Sequence, residues 1–127
     1  MLHILLIESN TLLAEVYTKA LLHCGFTVAA AAGAQEAINA ADEHGPDVIV
    51  MELLLPQHNG IEFLHELRSY PEWEKTPVVI QTEIVPARLA YLEPALRNDF
   101  GVGAILYKSA TSLQDLIRAV REQAASR

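Results

Sequence analysis

Cysteine is almost absent: Cys24 stands alone, which excludes an intramolecular disulfide and any zinc site built on cysteine pairs. Its place in an apolar helical pattern points to a buried rather than a reactive thiol. Positive charge is scarce and scattered. Nine lysines and arginines face sixteen acids, a formal net charge of −7, and no basic run occurs, so nucleic acid is not an expected partner. No apolar run approaches the roughly 20 residues that a membrane-spanning helix needs. The apolar opening, Met1 to Ile7, has neither a cationic leader nor a cleavage site, so it reads as structure and not as a signal peptide. No glycine-rich loop follows it, which removes a Rossmann fingerprint and a P-loop. What remains is 127 residues, 51% apolar and 20% charged, which suits one globular domain over 1–127 with a real core. The expectation is a cytoplasmic, soluble domain with no membrane partner.

Short apolar runs alternate with helical patterns along the whole chain. "HILLIE" (3–8) is continuous and ends in an acid, as a buried parallel strand does. Ser9 or Asn10 is placed to cap a helix whose inner face carries Leu13, Val16, Tyr17, Ala20, Leu21 and Cys24, and Gly25 stops it. A strand over 26–32, a helix over 34–45 and a strand over 47–52 follow. A helix over 61–70 turns Ile61, Leu64 and Leu67 inward and closes at Pro71. Strands are predicted over 76–82 and 103–107. A last helix over 112–123 sets Leu113, Leu116, Ile117 and Val120 on one stripe. Five strands alternating with five helices predict a doubly wound, five-stranded parallel α/β sheet with helices on both faces. Function in such folds lies beyond the C-terminal strand ends, which here carry Glu8-Ser9, Glu52, Thr82-Glu83 and Lys108.

Read in order, these segments resemble the receiver domains of two-component response regulators, over essentially the whole chain. "ILLIES" is similar to that family's strand ending in paired acids. "GFTVAAAAGAQEAI" resembles its second strand and helix. "GPDVIVMELLLPQHNG" looks like its phosphoacceptor strand, with a proline four residues past the acceptor and a glycine closing the loop. "TPVVIQT" and "GAILYK" are similar to the strands carrying its switch hydroxyl and its lysine. The resemblance implies a flavodoxin-like receiver fold and a signalling module rather than an enzyme. In the family an Asp accepts a phosphoryl group from a histidine kinase, acids hold Mg²⁺, and hydroxyl and lysine close on the phosphate.

Carried over position by position, Lys108 and Thr82 match. The acceptor position holds Glu52 in place of Asp, and the paired acids have become Glu8 and Ser9. Glu83 follows the switch hydroxyl where the family prefers a small residue, which marks it as a blocker of the phosphoryl path. Ile105 occupies the aromatic switch position, and Ser109 replaces the usual proline. Mg²⁺ requires near-octahedral geometry at about 2.0–2.1 Å, so a missing ligand and a longer acid leave at most weak binding. The implied function is a degenerate, pseudo-receiver variant that signals through protein contacts, with the Glu52 carboxylate reaching across to Lys108. A structural ion pair among Glu8, Glu52 and Lys108 without a signalling role is the plainer reading. An unusual but working Mg²⁺-dependent phosphoreceiver, and more remotely a small hydrolase using Glu8 and Glu52, stand as alternatives.

Two further features lie outside that pattern. Leu53, Leu54 and Leu55 follow the acceptor position, and at least one leucine is expected to face solvent at the pocket mouth. Twenty-five residues separate Thr82 from Lys108, more than the family usually has. Pro86 fits a helix start there, and Pro94 is expected to break or kink that helix. Residues 83–123 are the expected contact face for a histidine kinase, an output domain or a homodimer partner. The five histidines, His3, His23, His44, His58 and His65, show no metal-ligand spacing on one face.

Overall fold

The computed structural model describes residues 1–57 and 59–126; His58, one of the five histidines weighed for metal-ligand spacing, lies outside them. Five strands, β1 (His3–Ile7), β2 (Thr27–Ala31), β3 (Val48–Met51), β4 (Val78–Thr82) and β5 (Ala104–Tyr107), form one parallel sheet in the order β2-β1-β3-β4-β5. The helices are α1 (Thr11–His23), α2 (Ala34–Glu43), α3 (Gly60–Ser69), α4 (Pro86–Asn98) and α5 (Leu113–Ala125). The doubly wound topology expected from the alternation is the one observed.

Strand side chains alternate between two cores. Ile4, Leu6, Val48, Val50 and Val79 face α1 and α5. Leu5, Ile7, Ile49, Met51 and Ile80 face α2, α3 and α4. Strands buried on both faces have no polar side to show, which is why they read as unbroken apolar runs. Full burial of Phe63, Leu64 or Leu67 on α3 stabilises by about 1.5–3 kcal/mol each.

Helix ends follow local chemistry. Asn10 caps α1 by accepting from the Leu13 N–H, while Asn59 and Ser112 close reciprocal capping boxes with Glu62 and Asp115. Gly25, at φ 93°, supplies the left-handed turn after α1. Gly60 has a different reason: a Cβ there would stand 2.7 Å from the Leu53 Cα, so only glycine lets α3 begin against the loop leaving β3. Gln57 in that loop is left-handed at φ 68°.

Several expectations need correction. Pro94 does not break its helix: α4 runs from Pro86 to Asn98 through it. The carbonyl left without that amide is four residues earlier, at Ala90, and both Ala90 and Pro94 are exposed, so water can meet it. Leu113 and Val16 are exposed, at 40% and 39%, so the inner stripes of α5 and α1 are narrower than their apolar patterns. Cys24 is free and only partly buried.

The Arg68 guanidinium donates to the Phe100, Trp73 and Thr76 carbonyls, each at 2.8 Å, and so ties the end of α3 to the loops before β4 and β5. At the N-terminal edge of the sheet the His3 ring stacks on His44 at 4.0 Å between centroids, and its Nδ1 lies 2.7 Å from the Thr27 hydroxyl. His3 Nε2 is buried without a hydrogen-bond partner. Burial, then the neighbouring His44, hold the His3 pKa below 6.5, against an opposing pull from Asp47. A base whose pKa falls on folding takes up protons more readily when unfolded. His3 therefore contributes stability above pH 6.5 that is lost as pH falls toward its lowered native pKa. Urea midpoints measured from about pH 7.5 to about pH 5 are expected to fall, and His3→Gln to flatten that slope.

Candidate functional site

Sheet register assembles the site before any side chain is considered. Ile7 pairs with Met51, so the next residues, Glu8 and Glu52, leave their strands side by side. Met51 pairs with Ile80, and Thr82 pairs with Tyr107, which brings Thr82 and Lys108 to the same edge. The chain order reverses at β1 and β3, so these acids stand at the topological switch point.

All three charged side chains are buried. Lys108 Nζ donates to Glu8 Oε1 at 2.5 Å and to Glu52 Oε1 at 2.9 Å, and the three side chains are 8%, 4% and 3% exposed. Two carboxylates around one ammonium leave a buried excess of one negative charge. Such a group persists only if its remaining lone pairs are met by donors. They are. Glu8 Oε2 accepts the Asn10 N–H at 3.1 Å. Glu52 Oε2 accepts the N–H groups of Leu53 at 2.6 Å and Leu54 at 3.0 Å, and Oε1 accepts that of Glu83 at 3.1 Å.

Burial alone would raise the Glu52 pKa. The Thr82 hydroxyl, the Leu54 amide and Lys108 together outweigh it and hold that carboxyl below 4.5. Lys108 behaves in mirror image: burial would lower it, but hydrogen bonds from its ammonium to Glu8 and Glu52 raise it above 10.5. Thr82 is fully buried, and its hydroxyl oxygen also accepts the Ile84 N–H at 3.2 Å. One methylene decides this arrangement. An Asp carboxylate would stop nearer the end of β3, whereas Glu reaches the amide that follows β4.

Glu8, Glu52, Thr82 and Lys108 therefore meet, while the other named residues do not join them. Ser9 is exposed outside the cluster. The Glu83 side chain is exposed as well, and the group it sends to Glu52 is its backbone N–H. Ile105 is partly buried and packs on the core shared with α2, α3 and α4. Leu53 is buried and Leu54 is 53% exposed, so a single leucine of the run faces outward at the mouth. The donor set does not suit Mg²⁺: the Glu8 and Glu52 oxygens are engaged by Lys108 and backbone amides, and position 9 offers a hydroxyl in place of a carboxylate. Among the described residues no group of three or more His, Cys, Asp or Glu is arranged to hold a metal.

Sequence reasoning missed the backbone donors, because an N–H at a strand end is common to every residue type. It also missed the support beneath the cluster. Tyr17 of α1 is buried against Gln81, whose Nε2 donates to the Tyr17 hydroxyl at 3.4 Å. Burial raises the Tyr17 pKa, opposed by the nearby Lys108. A polar residue inside the apolar strand run 78–82 was the available signal.

Comparison with known proteins agrees with this geometry. The chain is 32% identical over 125 residues to the transcriptional regulatory protein PdtaR of Mycobacterium tuberculosis, covering 98% of this chain and 57% of that protein. It is 31% identical over 91 residues to the transcriptional regulatory protein TrcR of the same species, covering 72% of this chain and 35% of that one. It thus spans little more than half of one relative and a third of the other. The solved receiver domain of a signal transduction histidine kinase from Syntrophus aciditrophicus superposes with a TM-score of 0.86 at 20% identity, over 99% of this chain and 92% of that one. A chemotaxis response regulator of Vibrio cholerae gives 0.82 at 22%, over 96% and 98%. At those identities the likeness establishes the fold. The family model described as response regulator receiver domain matches residues 4–122, and with strand order, site position and sequence in agreement the chain belongs to the response regulator receiver domains of two-component signalling.

Proposed function

We propose that this receiver is a pseudo-receiver: it signals through protein–protein contact, in the cytoplasm, without ordinary phosphorylation at position 52. One observation carries the reading. Both oxygens of Glu52 are already held by the chain's own donors, Lys108, the amides of residues 53, 54 and 83, and the Thr82 hydroxyl. A carboxylate so saturated is a poor nucleophile, since attack would strip it of charge-assisted hydrogen bonds in a dry site. It also fills the place where an incoming anion would seek the same donors. Glu52 on this view stands in for the phosphorylated state, with Lys108 and Thr82 drawn in permanently.

The hydrolase reading using Glu8 and Glu52 loses ground for the same reason. A general acid or base must reach the substrate with a free oxygen. Both oxygens of Glu8 and of Glu52 are already engaged by Lys108 or backbone amides.

Partner contact is assigned to residues 83–123, where a kinase or an output domain would dock. Tyr91 is 87% exposed and Val85 54%, and with Arg88 and Leu92 they line a shallow cavity along α4. No described helix is long and apolar enough to cross a membrane.

Intact-mass spectrometry after incubation with Mg²⁺ and a small acyl-phosphate donor, beside a conventional receiver, tests the central reading. The native chain is expected to stay unmodified while the control gains one phosphoryl group. Glu52→Asp alone is expected to remain inert, and Glu52→Asp with Ser9→Asp to regain some modification. Stoichiometric phosphorylation of the native chain would make it a working phosphoreceiver instead.

Stability should separate the three charged residues. Lys108→Met leaves two buried carboxylates without a cation and is expected to cost about 3–5 kcal/mol. Glu52→Gln leaves Glu8 and Lys108 balanced and is expected to cost less, about 1–3 kcal/mol. Denaturant titration of both variants reads the difference; equal costs would mean that the excess negative charge is not confined by Lys108.

A further inference from the structure

We propose that the β2 edge of the sheet, with the flank of α1 above it, takes a second copy of this chain in antiparallel β2–β2 pairing. This goes beyond the proposed function and does not depend on it, because it uses the edge of the sheet opposite β5.

β2 pairs with β1 alone and so is an edge strand. The Thr27 N–H donates to the Leu2 carbonyl, and the Ala31 carbonyl accepts the Glu8 N–H, so both residues turn their backbone groups toward β1. Alternation along a strand then places the N–H and C=O groups of Val28 and Ala30 on the outer side. Protein edges are normally blunted by charge, proline or a bulge. The segment Thr27–Ala31 reads TVAAA and carries no charge or proline. The free stretch ends at Ala32, whose N–H donates to the Glu36 carboxylate.

A trough of about 530 Å³ runs beside this edge, lined by Ala14, Glu15, Thr18, Lys19, Leu22 and Ala30. It exists because alanines at 14 and 30 are too small to fill the space between helix and strand. Leu22 stands 51% exposed on its rim.

Charge identifies the occupant. Glu15 and Lys19 lie two residues either side of Tyr17, the midpoint of α1, and Ala29 is the midpoint of β2. A two-fold axis midway between Ala29 and its counterpart in the copy sets Val28 opposite Ala30 of the copy and runs the two α1 helices antiparallel. Glu15 of each copy then faces Lys19 of the other. On a chain of net charge −7 the α1 side of this rim is neutral and complementary to itself, which favours a second copy over an acidic or basic partner, while the acids of α2, Glu36 among them, lie on the opposite face of the sheet. Small residues at 14 and 18 let the helices approach to the usual ~8–10 Å.

Analytical ultracentrifugation of the full chain from about 1 μM to about 1 mM tests the pairing. A reversible monomer–dimer equilibrium is expected. Glu15→Lys or Lys19→Glu alone brings like charges together and is expected to weaken the dimer at least about tenfold, and the double swap to restore it. Ala30→Pro is expected to abolish the dimer while leaving the monomer folded by circular dichroism, since the amide it removes points outward. If that variant unfolds, the exposed charge swaps still decide the matter. Tyr91→Lys on α4 is expected to leave the dimer unchanged. A chain that stays monomeric throughout, a dimer indifferent to the charge swaps, or one lost with Tyr91→Lys would each overturn the proposal.

Discussion

The Lys108 ammonium between Glu8 and Glu52 is the constraint on which the C-terminal edge of this sheet depends. Three strand ends must arrive within hydrogen-bond reach of one nitrogen, and they do so because β1, β3 and β5 run parallel in fixed register. Charges this far from water are tolerable only as a complete set. The loops around them must therefore present their first amides inward, as Asn10, Leu53, Leu54 and Glu83 do. Gly60 follows from the same demand. Its close packing on Leu53 and its N–H to the Leu53 carbonyl, at 2.8 Å, keep the loop after Glu52 tight enough to aim two amides at one oxygen.

A receiver built to respond needs its acid, hydroxyl and lysine to have two arrangements of similar free energy. Here one arrangement satisfies every group at once. Moving Thr82 or Lys108 away would leave a buried carboxylate short of partners, a loss of several kcal/mol that an ordinary binding event does not supply. On the pseudo-receiver reading proposed above, regulation is placed at the α4 face and not in the pocket. α4 suits that role: of its thirteen residues only Leu89 and Leu96 are buried, and Pro94 removes one of its internal hydrogen bonds.

Most of the fold was legible because its central strands β1, β3 and β4 are buried on both sides and because breaks such as Gly45-Pro46 and Pro71 bound the elements. The meeting of Glu8, Glu52, Thr82 and Lys108 was legible too, since each ends or follows an apolar strand. Three things were not. Pro94 failed as a helix breaker because the carbonyl it leaves unpaired, at Ala90, is on an exposed face where water can meet it. Glu83 was read as a side chain, while its backbone is what reaches Glu52. Tyr17 and Gln81 could be placed on their elements, but their contact spans 64 positions in sequence and follows only from the packing of α1 on β4.

The two edges of the sheet are unequal in a way that bears on assembly. β5 is flanked by charged and amide side chains: Arg97 donates to the Gly103 carbonyl at 3.3 Å, and Gln123 stands where a Cβ on Gly103 would be. These contacts crowd the start of that edge strand. β2 has alanine where β5 has Ile105, Leu106 and Tyr107, and among the described residues no side chain bonds its outer amides before Ala32. A strand that lacks both bulk and charge contributes little to the core it borders, with only Ala31 buried on it. Its small side chains are better explained by what they admit than by what they fill, and an admitted strand of like shape and reversed direction is the one for which the Glu15 and Lys19 rim is already matched.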